Sequence, residues 1–122
     1  MNIILYASDH AAPCKSAITY FKWMHNEMEE YYQQGDIEKK LGYTITQFYD
    51  RTTCNPFIYQ RGYLNVIVEP LYITILDFLP ECRNDCMVNG LEKNKQLLDQ
   101  KVLETKDIMR ESLSTHEINA LD

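Results

Sequence analysis

One long apolar stretch, residues 57–79, constrains the fold more than any other part of the chain. It reads FIYQRGYLNVIVEPLYITILDFL, with Ile, Val, Leu and Tyr placed so that they would cover every face of a helix. Such a segment is either a helix buried on all sides or two buried strands separated at Glu69 and Pro70. Its β-branched residues favour strands, whereas its length favours a helix. It is too polar for a membrane span, because polar or charged side chains recur along it: Gln60, Arg61, Asn65, Glu69 and Asp77.

Two further segments have the apolar spacing of amphipathic helices. Residues 15–34 carry one apolar stripe at intervals of four and three, and Ser16 stands at the position of an N-cap. Gly35 predicts the end of that helix, and Asp36 predicts the cap of a short helix over residues 37–41. A polar loop or irregular turn is expected over 81–90, followed by a second long helix over 91–113. The stripe of this last helix consists of Leu91, Leu98, Val102, Met109 and Leu113.

These segments predict an all-α protein, a helical bundle. The chain has 122 residues and 45% hydrophobic residues, which suits one small globular domain. We expect residues 1–113 to belong to that domain and residues 114–122 to form a flexible tail. The piece at residues 1–8 is short and apolar, and its composition fits either a helix or a strand.

Charge and cysteine content restrict the partners. The formal net charge is −6, which argues against binding to nucleic acid or to an anionic membrane surface. The four cysteines include one close pair, CRNDC, whose three-residue gap differs from common zinc motifs. We therefore expect free thiols and a cytoplasmic location.

Gln60 and Tyr63 are the first candidates for ligand binding. They are three residues apart and would share one face of a helix. A glutamine amide offers a donor beside an acceptor, which matches the polar edge of a purine, and an aromatic ring can stack on the base. The residues alone fit more readily with a structural role, in which Gln60 caps or solvates the helix and Tyr63 joins the core.

Asp9 and His10 form a second candidate group. They follow an apolar element and precede Pro13, so they lie at a turn. A carboxylate beside an imidazole there fits a metal site or an acid–base pair, and equally a local helix cap.

Several blocks of sequence occur together in the order and at the distances of one known family. The blocks are ASDHAAPCK at 7–15, EEYYQQGDIE at 29–38, IT at 45–46, DR at 50–51 and YQRGY at 59–63. Together they resemble the C-terminal part of the catalytic domain of class I 3',5'-cyclic-nucleotide phosphodiesterases, over roughly residues 1 to 80.

The resemblance implies an activity and a set of site residues. Members of that family hydrolyse cyclic AMP or cyclic GMP to the 5'-monophosphate in signal transduction, using zinc and magnesium ions. Gln60 matches the purine-reading glutamine, Tyr63 the aromatic residue that clamps the base, and Asp9 a metal-ligand aspartate. Other pocket-lining positions correspond to Tyr20, Trp23, Tyr31 and Phe48.

The chain also departs from the family pattern. The H-N-x-x-H and H-D-x-x-H motifs, which carry the other metal ligands and the acid histidine, have no counterpart in this sequence. Glu27 stands where the family usually has an apolar clamp residue, and Ala12 stands where many adenine-selective members have Asn.

These departures define two hypotheses. In the first, the chain is a fragment of a phosphodiesterase that is inactive until a second chain or an N-terminal half completes the fold. In the second, it is a non-catalytic helical module that binds a purine or a protein. Because much of the cover for residues 57–79 would lie in the missing half, we expect the isolated chain to associate or aggregate.

Overall fold

A computed structural model describes the backbone of residues 2–119 and the side chains of residues 2–107 apart from Cys86. Every regular element in this part of the chain is helical, which confirms the all-α prediction. The α-helices are α1, Ile3–Asp9; α2, Ala17–Lys40; α3, Pro56–Tyr63; α4, Glu69–Leu76; and α5, Glu92–Asn119. Between them lie 3₁₀ turns at Ala12–Cys14 and Pro80–Cys82 and π-helical segments at Leu64–Val68 and Asn84–Leu91.

The first two helices begin at side-chain caps. The N-terminal apolar piece is a helix, and Asn2 caps it. The Oδ1 atom of Asn2 accepts from the backbone N–H of Ile4 at 3.0 Å. The Oγ atom of Ser16 accepts from the N–H of Thr19 at 3.4 Å, as the sequence predicted for α2.

Helix α2 does not end at Gly35, so the prediction of two separate helices there is wrong. Gly35 is buried inside one continuous helix. A Cβ atom at this position would overlap the carbonyl oxygen of Tyr49 and lie 2.8 Å from its carbonyl carbon. The glycine therefore allows the connector to approach the helix backbone. The helix ends only at Leu41 and Gly42, where Gly42 takes a φ of 75°.

Residues 43–55 connect α2 to α3, and ion pairs attach this connector to α2. The Nε atom of Arg51 donates to the Oδ2 atom of Asp36 at 2.9 Å, and its NH2 atom lies 3.2 Å from Glu29. Its guanidinium also lies over the ring of Tyr32, 5.3 Å from the centroid. Asp36 was predicted to cap a helix and instead binds this arginine.

The central apolar stretch is helical from residue 57 to Leu76, so the strand alternative is wrong. Asn55 caps α3, with its Oδ1 atom accepting from the N–H of Phe57 at 2.9 Å, and Pro56 occupies the first turn. The π-helical segment leads directly into the turn that contains Pro70. Proline lacks the N–H that an α-helical turn needs, and the altered bonding of a π-segment accommodates that loss.

This stretch buries one face only, in contrast to the expectation of burial on all sides. Leu64, Val68 and Tyr72 recur at intervals of four and are buried. Val66 on the other side is 75% exposed and Phe78 is 77% exposed. The association expected from such a surface stays a prediction. No helix in the described chain combines the length and apolar character required to cross a lipid bilayer.

Residues 81–90 form 3₁₀ and π-helical turns, where the sequence predicted a polar loop or an irregular turn. Gly90 is buried against Cys14, where a Cβ atom would lie 2.6 Å from the carbonyl carbon. Leu91 and Leu98 are buried as predicted. The side chains of Met109 and Leu113 and all of residues 120–122 lie outside the described residues. The helix passes the predicted end at residue 113, and the flexibility of residues 114–122 stays a prediction.

We predict that Gly35→Ala lowers the free energy of unfolding by about 1–3 kcal/mol, because the new methyl group overlaps the Tyr49 backbone. Gly62→Ala is the matched control. Gly62 also lies in a helix, but its Cβ would meet nothing within 4 Å, so we expect a gain of about 0.5–1 kcal/mol. Urea unfolding of both variants measures the difference. Equal effects of the two substitutions would contradict the proposed close approach at Gly35.

Candidate functional site

A cavity of about 370 Å³ lies between the end of α1, the first 3₁₀ turn, α2 and α3. All the predicted site residues except Phe48 line it. The helices therefore bring together residues that are far apart in the sequence: Asp9, Tyr20, Trp23, Tyr31, Gln60 and Tyr63.

Gln60 is 0% exposed, and both ends of its amide are bonded. Its Oε1 atom accepts from the hydroxyl of Tyr20 at 3.1 Å, and its Nε2 atom donates to the Oε2 atom of Glu27 at 2.8 Å. A carboxylate can only accept, so the amide nitrogen must face Glu27 and the amide oxygen must face Tyr20. The two partners on α2 thereby fix the orientation of the amide.

Glu27 links this amide to a third side chain. Its Oε1 atom accepts from the hydroxyl of Tyr31 at 2.9 Å. Burial, followed by the hydrogen bond to Glu27, raises the pKa of Tyr31 above its usual value. Burial, with a smaller contribution from the Glu27 charge, also raises the pKa of Tyr20. Both phenols therefore stay protonated near neutral pH and act as donors.

Tyr63 is held at the end of α3 by His10. Its hydroxyl oxygen lies 2.5 Å from the Nδ1 atom of His10. The His10 ring packs edge-on against Tyr6, with centroids 4.5 Å apart. Burial, and then the charge of Glu27, raises the pKa of Tyr63. The sequence paired His10 with Asp9, but the structure joins it to Tyr63, while Asp9 is exposed at the cavity.

Phe48 lies outside this cavity. It lines a neighbouring apolar groove of about 470 Å³, which shares only Tyr63 with the cavity. Phe48 has a φ of 72°, which costs a non-glycine residue about 1–2 kcal/mol. Its ring lies 5.4 Å from that of Tyr59, so aromatic packing helps to hold this backbone.

Asn94 supports the cavity and was missed from the sequence. It is buried, and its Nδ2 atom donates to the carbonyl oxygens of Pro13 at 2.7 Å and Lys15 at 2.9 Å. Helix α5 thereby fixes the turn that forms one wall. The available signal was its spacing, because Asn94 shares the buried face of Leu91 and Leu98 and is a polar residue in an apolar stripe.

The described side chains do not fit the zinc and magnesium ions implied by the resemblance. They include no group of three or more His, Cys, Asp or Glu side chains that could hold a metal ion. Asp9 supplies one carboxylate, whereas such ions need several protein ligands.

Comparison with known proteins agrees with this geometry. The sequence model of the 3'5'-cyclic nucleotide phosphodiesterase family matches residues 1–89. The chain belongs to this family. It is 33% identical over 90% of its length to the "Probable 3',5'-cyclic-AMP phosphodiesterase pde-4" of Caenorhabditis elegans. It is 32% identical over 63% of its length to the human "Dual specificity calcium/calmodulin-dependent 3',5'-cyclic nucleotide phosphodiesterase 1B". The chain spans only 16% and 14% of these two relatives.

We predict that Tyr20→Phe lowers the free energy of unfolding by about 1–3 kcal/mol, because it leaves the buried Oε1 atom of Gln60 without a donor. Tyr43→Phe is the control, since Tyr43 is 68% exposed and its substitution should change stability by less than about 0.5 kcal/mol. Thermal and urea unfolding measure both. A similar small effect of the two variants would contradict the proposed role of the Tyr20 hydroxyl.

We predict that stability decreases as the pH rises above 10. Tyrosines in the unfolded chain titrate near 10.0, whereas burial raises the pKa of Tyr20, Tyr31 and Tyr63 in the folded state. The stabilisation is fully present below pH 10 and is lost as the pH rises towards the folded pKa values, because the unfolded state releases its protons first. Urea unfolding between pH 8 and pH 11 measures the slope. Tyr20→Phe should flatten it, and an unchanged slope in that variant would contradict the assignment.

Proposed function

We propose that this chain is the base-recognition part of a 3',5'-cyclic-nucleotide phosphodiesterase domain, which hydrolyses cyclic AMP or cyclic GMP to the 5'-monophosphate. The observation that carries the proposal is the cavity that gathers Gln60, Tyr63 and the aromatic residues of α2 in a chain of this family. Such a cavity combines aromatic walls with convergent polar side chains, which suits a small-molecule site.

The base would lie between aromatic side chains. Trp23 is 61% exposed at the cavity, and Tyr63 is fixed by its contact with His10. Stacking of a base on an aromatic ring contributes about 1–3 kcal/mol. The cavity also contains Asp9, which would become a metal ligand when the remaining ligands are supplied.

We further propose that this chain does not hydrolyse cyclic nucleotides alone. The sequence lacks the histidine motifs of the family, and one carboxylate does not hold two metal ions. A second polypeptide segment would have to supply the metal-binding half. We also propose a cytoplasmic location, in keeping with the free thiols of Cys54 and Cys82.

The test has two measurements. In the first, the purified chain is incubated with cyclic AMP or cyclic GMP and with Zn²⁺ and Mg²⁺. We expect no metal-dependent turnover, and turnover would overturn the proposed inactivity of the isolated chain. In the second, this chain replaces the matching segment of the Caenorhabditis elegans relative, and we expect hydrolysis by the chimera.

In that chimera, Tyr63→Ala should weaken substrate affinity about 10-fold through the loss of base stacking. Tyr43→Ala, which changes an exposed tyrosine away from the cavity, should leave affinity unchanged. A folded chimera that binds the nucleotide but does not turn it over would favour the non-catalytic purine-binding module. A folded chimera that does not bind the nucleotide would overturn the proposal.

A further inference from the structure

The cavity presents a different polar group from the one that the sequence pattern indicates. Gln60 has no exposed surface, and its amide is bonded at both ends within the protein. A ligand would reach that amide only by breaking these buried bonds. Glu27 also lines the cavity and is only half-buried, so among the partners of Gln60 its carboxylate is the one that can also bind a ligand.

The carboxylate of Glu27 has acceptor capacity left over. Its two oxygens have about four lone-pair directions between them. Gln60 and Tyr31 each occupy one of these. The remaining directions accept hydrogen bonds and offer none, so a base edge placed there must bring its own N–H groups.

The charge of the surrounding wall strengthens this requirement. Asp9 and Glu30 line the same cavity, and no lysine or arginine lines it among the described residues. His10 is the remaining basic side chain on the wall, and it contacts the hydroxyl of Tyr63. The pocket is therefore rich in acceptors and selects donor-bearing ligands.

We propose that Glu27, with Gln60 as its positioning residue, selects guanine over adenine. Guanine presents two adjacent donors, N1–H and the N2 amino group, which can bind one carboxylate in a bidentate manner. Adenine presents an amino donor beside the N1 acceptor, and that lone pair would face the carboxylate. This inference rests on the proposed function, since it assumes that the cavity holds a purine.

The sequence provides a probe for the test. Trp23 is the only tryptophan and is exposed at the cavity, so its fluorescence reports binding. The full chain is titrated with guanosine, adenosine and 1-methylguanosine, which are uncharged at pH 7.5 and so avoid repulsion by the acidic wall. We expect guanosine to bind at least about 10-fold more tightly than adenosine. We expect 1-methylguanosine, which lacks the N1–H donor, to lose that advantage.

Two variants separate hydrogen bonding from charge. Glu27→Gln removes one acceptor and the charge at nearly constant size, and it should abolish the preference for guanosine. Glu81→Gln removes an exposed carboxylate that does not line the cavity, and it should keep the preference. Circular dichroism verifies the fold of each variant. If Glu27→Gln does not fold, the comparison of the three ligands on the unaltered chain still decides.

The outcomes distinguish the two proposals. Three results would overturn the role of Glu27 and leave the proposed function intact. In the first, adenosine binds at least as tightly as guanosine. In the second, 1-methylguanosine binds as tightly as guanosine, and in the third, a folded Glu27→Gln variant still prefers guanosine. Binding of no nucleoside, together with no cyclic-nucleotide binding by the chimera, would overturn the proposed function itself. If the chain alone binds no nucleoside but the chimera binds the cyclic nucleotide, the proposed selection of guanine by Glu27 in this chain is overturned.

Discussion

The buried amide of Gln60 ties helix α3 to helix α2, and the site depends on this connection. Removing an amide from water is unfavourable unless its donor and acceptor are both bonded, and Tyr20 and Glu27 meet this need from one helix. The register of α3 against α2 is therefore fixed by hydrogen bonds as well as by packing. Tyr63 follows one turn later on α3, so the same contacts set the position of its ring.

Elements determined by local sequence were predictable, whereas those that depend on close tertiary approach were not. Ser16 acts within its own helix, and its position as the N-cap was predicted correctly. Gly35 and Gly90 were assigned to a helix end and to a loop. Both lie in helical turns where another backbone passes, next to Tyr49 and Cys14. A glycine that ends a helix and one that admits a neighbouring backbone look the same in a sequence.

Most residues that line the cavity could be predicted for two reasons. The spacing of residues along α2 and α3 is a local property of the sequence, and the resemblance to the family indicated which helices face each other. The orientation of Gln60 could not be predicted. It depends on Glu27, which the sequence showed only as a charge at a position that is usually apolar. Helix α2 places the Glu27 carboxylate where it accepts a hydrogen bond from the glutamine, so a departure from the family pattern becomes part of the site.

Under the proposed function, the charges of the cavity require that the phosphate and the base are bound by different parts of the phosphodiesterase domain. A cyclic nucleotide carries a negative phosphate, yet the described lining contributes Asp9, Glu27 and Glu30 without lysine or arginine. Affinity for the phosphate must then come from positive groups outside these residues, because like charges in a partly desolvated cavity repel one another. Under the proposed function, the described residues contribute discrimination at the base, through stacking and through a fixed set of acceptors. Changes at Glu27 should therefore alter which base binds more than how strongly the phosphate is held.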